Sequence, residues 1–500
     1  MIMNGQHKLR ARASTILKQS VVYTFGGLGS GALEVVMAPV YTRALSTQQY
    51  GLLDFLWTFV FFARLVVPLG LDQAVGRFYT GSEDEVDRQE TATTGVLTIL
   101  MLALLFACAV TLASGFVAEF ILRDVTKSNL VVLMAWATPG LVLHSFAIHM
   151  LRYGFTPGKY VLLSLTTLLA DASATIGAVL GLRAGLVGVY TAKICVYTAA
   201  SLIGLWLTRS SYTWHVSMDK LRSMLAYGLP LVPAALAYFV MSYSGRYFLP
   251  RLVNLEALGM YSAAHRFASV VALLYVGFTV AWGPFVYGTY RQQQARQVLT
   301  RVFDYFSAVS VVVVVGISLF AKELLTLYAG PAYAPAAVVV PLLLLNQALY
   351  VGGGYIFGIS FNIAKETGQK ALVGLIAVSV CLIFQALWIP RLGIVGAAVA
   401  VTLSYIVFTL LNWWWGQRYY PVPYRLATHG KLYGVGTLAV LISAFAQELP
   451  VLLSVMIRFS LFAVVLSMPF VLNLLSITVL RSLMLSVLRW RPCRVERDVG

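Results

Sequence analysis

The chain has 500 residues, of which 59% are hydrophobic and only 11% are charged. A soluble protein could not cover so much apolar surface, because a single hydrophobic core stops growing at roughly 250–300 residues, so the composition excludes a water-soluble protein. The net charge of +17 does not indicate nucleic-acid binding, since the sequence has no soluble basic domain with interleaved aromatic residues.

Fourteen apolar runs follow in chain order, most of them long enough to cross a bilayer, which takes about 20 residues. The first half contains six, at 20–42, 52–76, 93–117, 129–150, 160–181 and 185–207. The second half contains eight, at 224–246, 258–287, 303–321, 336–361, 371–389, 393–416, 432–447 and 450–477. The run at 432–447 is short, which leaves twelve or thirteen spans open. The sequence predicts an all-α integral membrane protein with about 14 transmembrane helices.

A six-residue pattern repeats across the middle of the chain. Arg183-Ala-Gly-Leu-Val-Gly188 returns 208 residues later as Arg391-Leu-Gly-Ile-Val-Gly396. The same shift relates three further pairs, which are Arg43 and Arg251, Gly51 and Gly259, and Tyr197 and Tyr405. Internal repeats in a membrane chain are typical of transporters with two similar lobes around a shared central space.

The repeat divides the chain into five parts. We predict an N-lobe at 1–207 with helices 1–6, a cytoplasmic linker at 208–223, and a C-lobe at 224–416 with helices 7–12. Helices 13–14 then occupy 417–480, and a basic cytoplasmic tail occupies 481–500. The arginines of the tail would face anionic membrane lipids.

The distribution of Lys and Arg predicts the orientation. With the N-terminus placed in the cytoplasm, 24 of the 36 Lys and Arg fall in cytoplasmic segments, 8 in exterior segments or span ends, and 4 within spans. Cytoplasmic loops of membrane proteins carry this excess of positive charge. We therefore expect a multi-pass protein of the cell inner membrane with both termini in the cytoplasm.

Three carboxylates within the predicted spans are candidates for ion coupling. Ionisable residues cost a few kcal/mol inside a bilayer, so Glu34, Asp72 and Asp171 should face a partner or a wet cavity. The alternative for Glu34 is a structural pair with Arg64. Residues that would loosen the first helix, and so permit gating, surround Glu34. They are Gly26, Gly27, Gly29, Gly31 and Pro39.

Four basic residues are candidates for binding an anionic headgroup. They are Arg64, Arg246, His265 and Arg266. Arginine suits phosphate because its guanidinium presents a fork of donors and stays charged. The alternatives are a pairing of Arg64 with Asp72, a position on the exterior rim for Arg246, and a packing role for His265. We expect Asp54, Arg77 and Arg458 to extend their charges toward the membrane surface.

The sequence lacks the motifs of the common enzyme classes. It has no GxxxxGK[ST], GxSxG or HExxH pattern, no CxxC pair and no large extramembrane loop. We therefore predict a transporter with no catalytic residue, no metal site and no cofactor, apart from coupling to H⁺ or Na⁺.

The N-terminal region resembles a known family. Its motifs are Thr15-Ile-Leu-Lys-Gln-Ser20, Met37-Ala-Pro-Val-Tyr-Thr-Arg43 and Ser46-Thr-Gln-Gln-Tyr-Gly-Leu-Leu-Asp54. This stretch is similar to the start of the polysaccharide-biosynthesis transporters. They form the O-antigen flippase-like (Wzx-type) branch of the multidrug/oligosaccharidyl-lipid/polysaccharide exporter superfamily. The motif-level similarity covers about the first 80 residues, and the layout is similar over nearly the whole chain.

The resemblance implies a V-shaped, MATE-like bundle in which helices 1, 2, 7 and 8 line a cationic cavity. It also implies a flippase that moves a polyprenyl-pyrophosphate-linked oligosaccharide by alternating access, for cell-surface polysaccharide biosynthesis. Its partners would be the lipid-linked oligosaccharide, membrane lipids, a polysaccharide polymerase and glycosyltransferases. Two alternatives stay open, a cation-coupled drug or metabolite antiporter and a non-transporting scaffold of a glycan assembly complex. A membrane glycosyltransferase is disfavoured by the missing loop acids.

Overall fold

The computed structural model describes residue 29, residues 32–446 and residues 448–475, and every regular element in these ranges is a helix. The first half contains α1 (32–44), α2 (Thr47–Val66), α3 (Leu71–Gly81), α4 (Glu85–Leu112), α5 (Ser114–Leu122), α6 (Ser128–Tyr153), α7 (Pro157–Ile176) and α8 (Gly185–Leu207). The second half begins with α9 (Met218–Gly228), α10 (Leu231–Leu252), α11 (Leu255–Thr289), α12 (Ala295–Leu319) and α13 (Ala321–Ala329). It continues with α14 (Val340–Tyr350), α15 (Ile359–Ala364), α16 (Thr367–Tyr419), α17 (Leu426–Ala446) and α18 (Val451–Val471). The predicted all-helical membrane fold is confirmed.

Eleven helical segments of the described chain are long and apolar enough to cross a membrane. One of them, Gly368–Tyr419, has 52 residues and is broken at Gly393, so it covers two of the predicted spans. Residues 20–28, 30 and 31 of the predicted first span lie outside the described residues, and the predicted thirteenth span corresponds to the 21-residue helix α17. The count of fourteen stays a prediction.

The third residue of the repeated six-residue pattern has the same backbone φ in both halves. Gly185 has φ of 55° and Gly393 has φ of 56°, a left-handed conformation that glycine adopts without a Cβ clash. Gly185 begins α8, and Gly393 marks the kink inside α16. The pattern is therefore a structural repeat that turns the chain from one helix into the next.

The 208-residue shift also relates the starts of α2 and α11. Ser46 caps α2, where its Oγ accepts a hydrogen bond from the Gln49 amide at 3.2 Å. Asn254 caps α11 in the same way, and its Oδ1 accepts from the Ala257 amide at 2.7 Å. Such caps satisfy amides that lack a partner at the first turn of a helix.

The helices α2 and α11 then cross at their repeated glycines. A Cβ added at Gly51 would collide with the Leu255 carbonyl, and one added at Gly259 would collide with the Thr47 carbonyl. Thr47 and Leu255 are themselves 208 residues apart, so each half contacts the other through equivalent positions, as two-fold symmetry requires. At this crossing the backbones of the two halves are in close contact.

The last two helices pack on α12 of the second half, where a buried polar cluster joins α17 to α12. Asp304 of α12, which is 1% exposed, accepts hydrogen bonds from His429 Nε2 at 2.9 Å and from Arg425. His429 Nδ1 lies 3.0 Å from Ser307 Oγ. A buried carboxylate needs such partners, and removing them leaves an uncompensated charge.

Arg458 of α18 differs from the sequence expectation. The side chain does not extend toward the membrane surface but is 4% exposed, and its Nη1 lies 2.5 Å from Glu323 of α13. Glu323 is far from Arg458 in sequence, which is why the pairing could not be predicted.

Cys108, Cys195 and Cys381 are free thiols, and Cys493 lies outside the described residues.

Candidate functional site

The main cavity lies within the first half of the chain and has a volume of about 510 Å³. Its walls come from α1, α2, α6, α7 and α8, and the second half contributes Tyr243 of α10 and Arg266 of α11. The cavity reaches Arg152 in the last turn of α6 and Tyr160 in the first turn of α7. It therefore approaches the end of the bundle at which α6 turns into α7.

Seven ionised groups line the cavity, four basic and three acidic. They are Arg64, Arg152, Lys193 and Arg266, with Glu34, Asp54 and Asp171. Each of the three carboxylates forms an ion pair with a basic side chain. Among the described residues Arg64 and Arg152 form no ion pair, so the described part of the cavity carries an excess of positive charge toward its α6–α7 end.

Arg64 is the predicted headgroup residue that is most accessible in the cavity. Its side chain is exposed, and Nη2 donates a hydrogen bond to Ser145 Oγ of α6 at 3.0 Å. Within residues 32–446 and 448–475, Arg64 forms no ion pair. Its guanidinium is thus available to an anion.

Arg152 was not predicted as a site residue, because the sequence places it in a loop between two spans. It lies instead in the last turn of α6, where a positive charge is stabilised by the helix dipole. His144, Ser145, His149 and Arg152 recur on one face of α6 at helical spacing, and all four line the cavity. This spacing was the signal that could have identified them.

Asp54 is the centre of a buried network between the two halves. It is 4% exposed, and its Oδ2 accepts from Arg246 Nε at 2.5 Å and from Ser262 Oγ at 2.7 Å. Arg266 Nη2 lies 3.4 Å from Oδ1. Asp54 is therefore not a group that extends to the membrane surface. Ser262 is its equivalent under the 208-residue shift, so the network lies on the pseudo-symmetric contact of α2 and α11.

Arg246 and His265 lie behind the cavity wall. Arg246 is 1% exposed, and its charge is opposed by Asp54, so it differs from the free cavity cation that we expected. Its Nη2 lies 3.3 Å from His265 Nδ1. His265 lines a separate pocket of about 90 Å³ in the second half, beside Asn346.

Glu34 and Arg266 form a second contact between the halves. Arg266 Nη1 donates to Glu34 Oε2, so the partner of Glu34 is Arg266 of α11 and not Arg64. Glu34 remains partly exposed to the cavity.

Of the residues predicted to loosen the first helix, Gly26, Gly27 and Gly31 lie outside the described residues. Gly29 faces Leu168 of α7, and the Pro39 carbonyl of α1 accepts from Thr42 Oγ1 at 3.3 Å.

Asp171 and Lys193 form an ion pair within the first half. Lys193 Nζ lies 3.0 Å from Asp171 Oδ2 and 4.5 Å from the centroid of the Trp57 ring.

Asp72, the third predicted acid, lies in the first turn of α3, and its Oδ2 is 4.0 Å from His149 Nδ1. Arg77 of α3 does not project freely but stacks on the ring of Tyr227 of α9 at 4.5 Å.

Four aromatic residues form part of the cavity wall. Tyr41, Trp57, Tyr197 and Tyr243 all line it and are partly exposed. Among the residues described, no group of three or more His, Cys, Asp or Glu side chains could hold a metal ion. The cavity combines a cationic end with an amphipathic aromatic wall, which suits a ligand that has an anionic group and a polar body.

A two-lobed helical membrane bundle with a polar internal cavity has the construction of a transporter. The family model described as "Polysaccharide biosynthesis protein" matches residues 16–287, more than half of the chain. The chain therefore belongs to the polysaccharide biosynthesis protein family. No curated protein sequence matches it.

Solved structures with the same fold are flippases and transporters. The chain is similar to "Lipid II flippase MurJ, inward closed conformation", with a TM-score of 0.70, 12% identity, and coverage of 93% of this chain and 100% of that one. It is also similar to an inward-facing MATE multidrug resistance transporter of the MOP superfamily, with a TM-score of 0.64 and 14% identity over 82% and 99% of the chains. A MATE structure in the bent conformation has a TM-score of 0.57 and 16% identity over 83% and 96%. At these identities the comparison establishes the fold, which is the one seen in the MurJ and MATE structures.

Proposed function

We propose that this protein is a flippase for a polyprenyl-pyrophosphate-linked oligosaccharide, which it moves across the inner membrane during cell-surface polysaccharide biosynthesis. The single observation that carries the proposal is a pair of arginines, Arg64 and Arg152, that form no ion pair among the described residues and lie in a cavity whose other charged side chains are paired. Family membership and the structural similarity to MurJ, a lipid II flippase, give the proposal its substrate class.

In this proposal the pyrophosphate binds to Arg64 and Arg152. Both guanidinium groups present planar forks of donors, and charge-assisted hydrogen bonds of this kind contribute about 1.5–3 kcal/mol each. The glycan would occupy the part of the cavity lined by Tyr41, Trp57 and Tyr197, which offer aromatic faces, two hydroxyl groups and an indole N–H. The lipid tail would stay in the bilayer.

Transport in this proposal proceeds by alternating access of the two lobes. The contacts between the lobes include the buried pair of Asp54 and Arg246 and the partly exposed pair of Glu34 and Arg266. Because Arg266 also lines the cavity, a bound phosphate could compete with Glu34 for its guanidinium. Substrate binding would thereby weaken one contact between the lobes and favour their rearrangement.

For ion coupling, we propose Asp72 as the first carboxylate to test. Asp171 and Glu34 are each paired with a cationic side chain, whereas the basic group nearest to Asp72 is a histidine at 4.0 Å. Among the described residues Asp72 forms no ion pair with lysine or arginine, so a proton or sodium ion at Asp72 would displace no such partner. Flipping that no longer responds to an imposed H⁺ or Na⁺ gradient in Asp72→Asn would support the assignment, and an unchanged response would refute it.

The MATE neighbours favour one alternative, a drug or metabolite antiporter. The two proposals differ in the charge of the substrate, because an excess of arginine repels the cationic compounds that such an antiporter would carry. A polymerase and glycosyltransferases would be the membrane partners of the flippase.

The experiment reconstitutes the purified protein in liposomes with a short-chain polyprenyl-pyrophosphate oligosaccharide. The fraction of substrate that becomes accessible to an external glycosidase or lectin reports flipping. We expect flipping by the native protein and its loss in Arg64→Ala/Arg152→Ala. Lys159→Ala, which removes an exposed positive charge close to the same end, is the matched control and should flip normally. Transport of a cationic dye with no movement of the lipid-linked sugar would overturn the proposal in favour of the antiporter.

A further inference from the structure

Two arginines related by the internal repeat make equivalent contacts across the two halves. Arg43 ends α1 of the first half, and its Nη2 donates to the Leu327 carbonyl of α13 in the second half at 2.7 Å. Arg251 lies in the last turn of α10 of the second half, and its Nη2 donates to the Phe120 carbonyl of α5 in the first half. Arg43 and Arg251 are 208 residues apart, which is the repeat shift.

The two acceptors are also equivalent. The helices α5 and α13 have nine residues each, follow the long helices α4 and α12, and lead into the next spans of their halves. Phe120 and Leu327 lie in their last turns, where carbonyl groups have no partner within the helix. A guanidinium at this end satisfies such a carbonyl and interacts favourably with the helix dipole.

Further contacts stabilise Arg251 and join the two halves beside Arg43. The Arg251 guanidinium carbon lies 4.8 Å from the centroid of the Phe120 ring and 4.3 Å from that of Tyr247. Beside Arg43, the Tyr328 hydroxyl of α13 donates to the Val35 carbonyl of α1 at 2.6 Å. Each arginine therefore belongs to a small contact surface between one half and the other.

Both contacts lie at the end of the bundle opposite the α6–α7 turn. Successive spans run in opposite directions, so the ends of α1 and α10 and the short helices α5 and α13 are at one end, while the α6–α7 turn is at the other. The cavity approaches the α6–α7 end, at Arg152 and Tyr160. The end with the arginine contacts also holds the crossing of α2 and α11 at Gly51 and Gly259, so the two halves are joined at this end.

We propose that Arg43 and Arg251 are paired locks between the lobes, and that the lobes open at this end only when both contacts break. Because both contacts must break before this end opens, the loss of either contact multiplies the ratio of open to closed molecules by its own factor. With about a tenfold effect for a charge-assisted hydrogen bond, loss of both gives about a hundredfold effect. A protein with two locks also resists partial opening better than one with a single contact.

The test measures lobe separation at both ends of the full-length protein in nanodiscs by double electron–electron resonance. One spin-label pair at Val125→Cys and Val338→Cys reports the locked end, and a second at Lys159→Cys and Gln293→Cys reports the α6–α7 end. All four label positions are exposed, and the native cysteines Cys108, Cys195, Cys381 and Cys493 are first replaced by serine. These distances do not depend on which substrate the protein carries.

We expect Arg43→Ala/Arg251→Ala to lengthen the distance at the locked end and to shorten the distance at the α6–α7 end, as alternating access requires. Each single variant should shift the populations less than the double variant. Arg43→Lys/Arg251→Lys keeps a donor at each site and should remain mostly closed, which provides a readout if the alanine variant folds poorly.

Arg183→Ala/Arg391→Ala is the matched control. These two arginines are also 208 residues apart, are exposed, and belong to the repeated turns; in the described part of the chain they make no hydrogen bond or ion pair to the other half. Unchanged distances in Arg43→Ala/Arg251→Ala, or an equal effect of the control pair, would overturn the proposal. Lengthening at both ends would also overturn it, because that outcome indicates general loosening.

Discussion

Replacing Asp54 by asparagine should destabilise the protein strongly, because it leaves Arg246 charged and buried. Asp54 and Arg246 are 4% and 1% exposed, and their 2.5 Å contact joins α2 to α10. Removing one partner of a buried ion pair costs about 3–5 kcal/mol, since the remaining charge has lost its compensation. The amide can still accept a hydrogen bond from Ser262, so the substitution removes the charge with little change of shape.

The assay measures the fraction of monodisperse protein in nanodiscs after heating at a series of temperatures. Glu85→Gln is the control, because Glu85 pairs with Arg88 at 3.7 Å on the surface, where an ion pair contributes about 0–1 kcal/mol. We expect a large fall in the midpoint temperature for Asp54→Asn and almost none for the control.

A double variant then separates the ion pair from other effects of the substitution. Asp54→Asn/Arg246→Gln removes both charges and should recover much of the stability lost in Asp54→Asn, which gives a positive coupling between the two sites. Equal stability of Asp54→Asn and the native protein would refute the reasoning. The reasoning would also be refuted if the loss of stability in the double variant equalled the sum of the losses in the two single variants.

Three further changes test other parts of the structure. Gly51→Ala should separate α2 from α11 and destabilise the protein by about 1–3 kcal/mol in the same heating assay, whereas Gly374→Ala, which meets no atom within 4 Å, should not. Asp304→Asn should release α17 from α12, which we expect to detect as faster hydrogen exchange in α17, and exchange equal to that of the native protein would contradict the role of this cluster. Lys193→Met should leave Asp171 buried without its cation and reduce flipping at equal protein level, and normal flipping would refute a role for this pair.

Part of this fold can be predicted from sequence because its signals are local. Composition and long apolar runs indicate a membrane protein, and the repeat of Arg183–Gly188 at Arg391–Gly396 indicates two similar halves. The left-handed conformation of both Gly185 and Gly393 gives that repeat a physical meaning. The family resemblance in the first 80 residues is supported by the family match and by the fold.

The site was harder to predict, because its pairings join residues that are distant in sequence. Asp54 and Arg246 are separated by 192 positions, and the Glu34 and Arg266 pair by 232. Each of these residues was recognised as unusual in a span, but sequence gives no measure of which charges neutralise each other. Arg152 was overlooked for a related reason, since a residue near the end of a span looks the same whether it faces solvent or a cavity.

The most direct test of the central claim measures binding of a polyprenyl-pyrophosphate oligosaccharide to the protein in nanodiscs, with the dephosphorylated lipid-linked sugar as the comparison ligand. We expect the native protein to prefer the pyrophosphate form, and Arg64→Ala and Arg152→Ala each to weaken its binding by about 10- to 150-fold. The affinity for the uncharged form should change little in either variant, and Lys159→Ala should bind both ligands normally. Equal affinity of the native protein for the two ligands, or unchanged binding of the pyrophosphate form after loss of both arginines, would contradict the account.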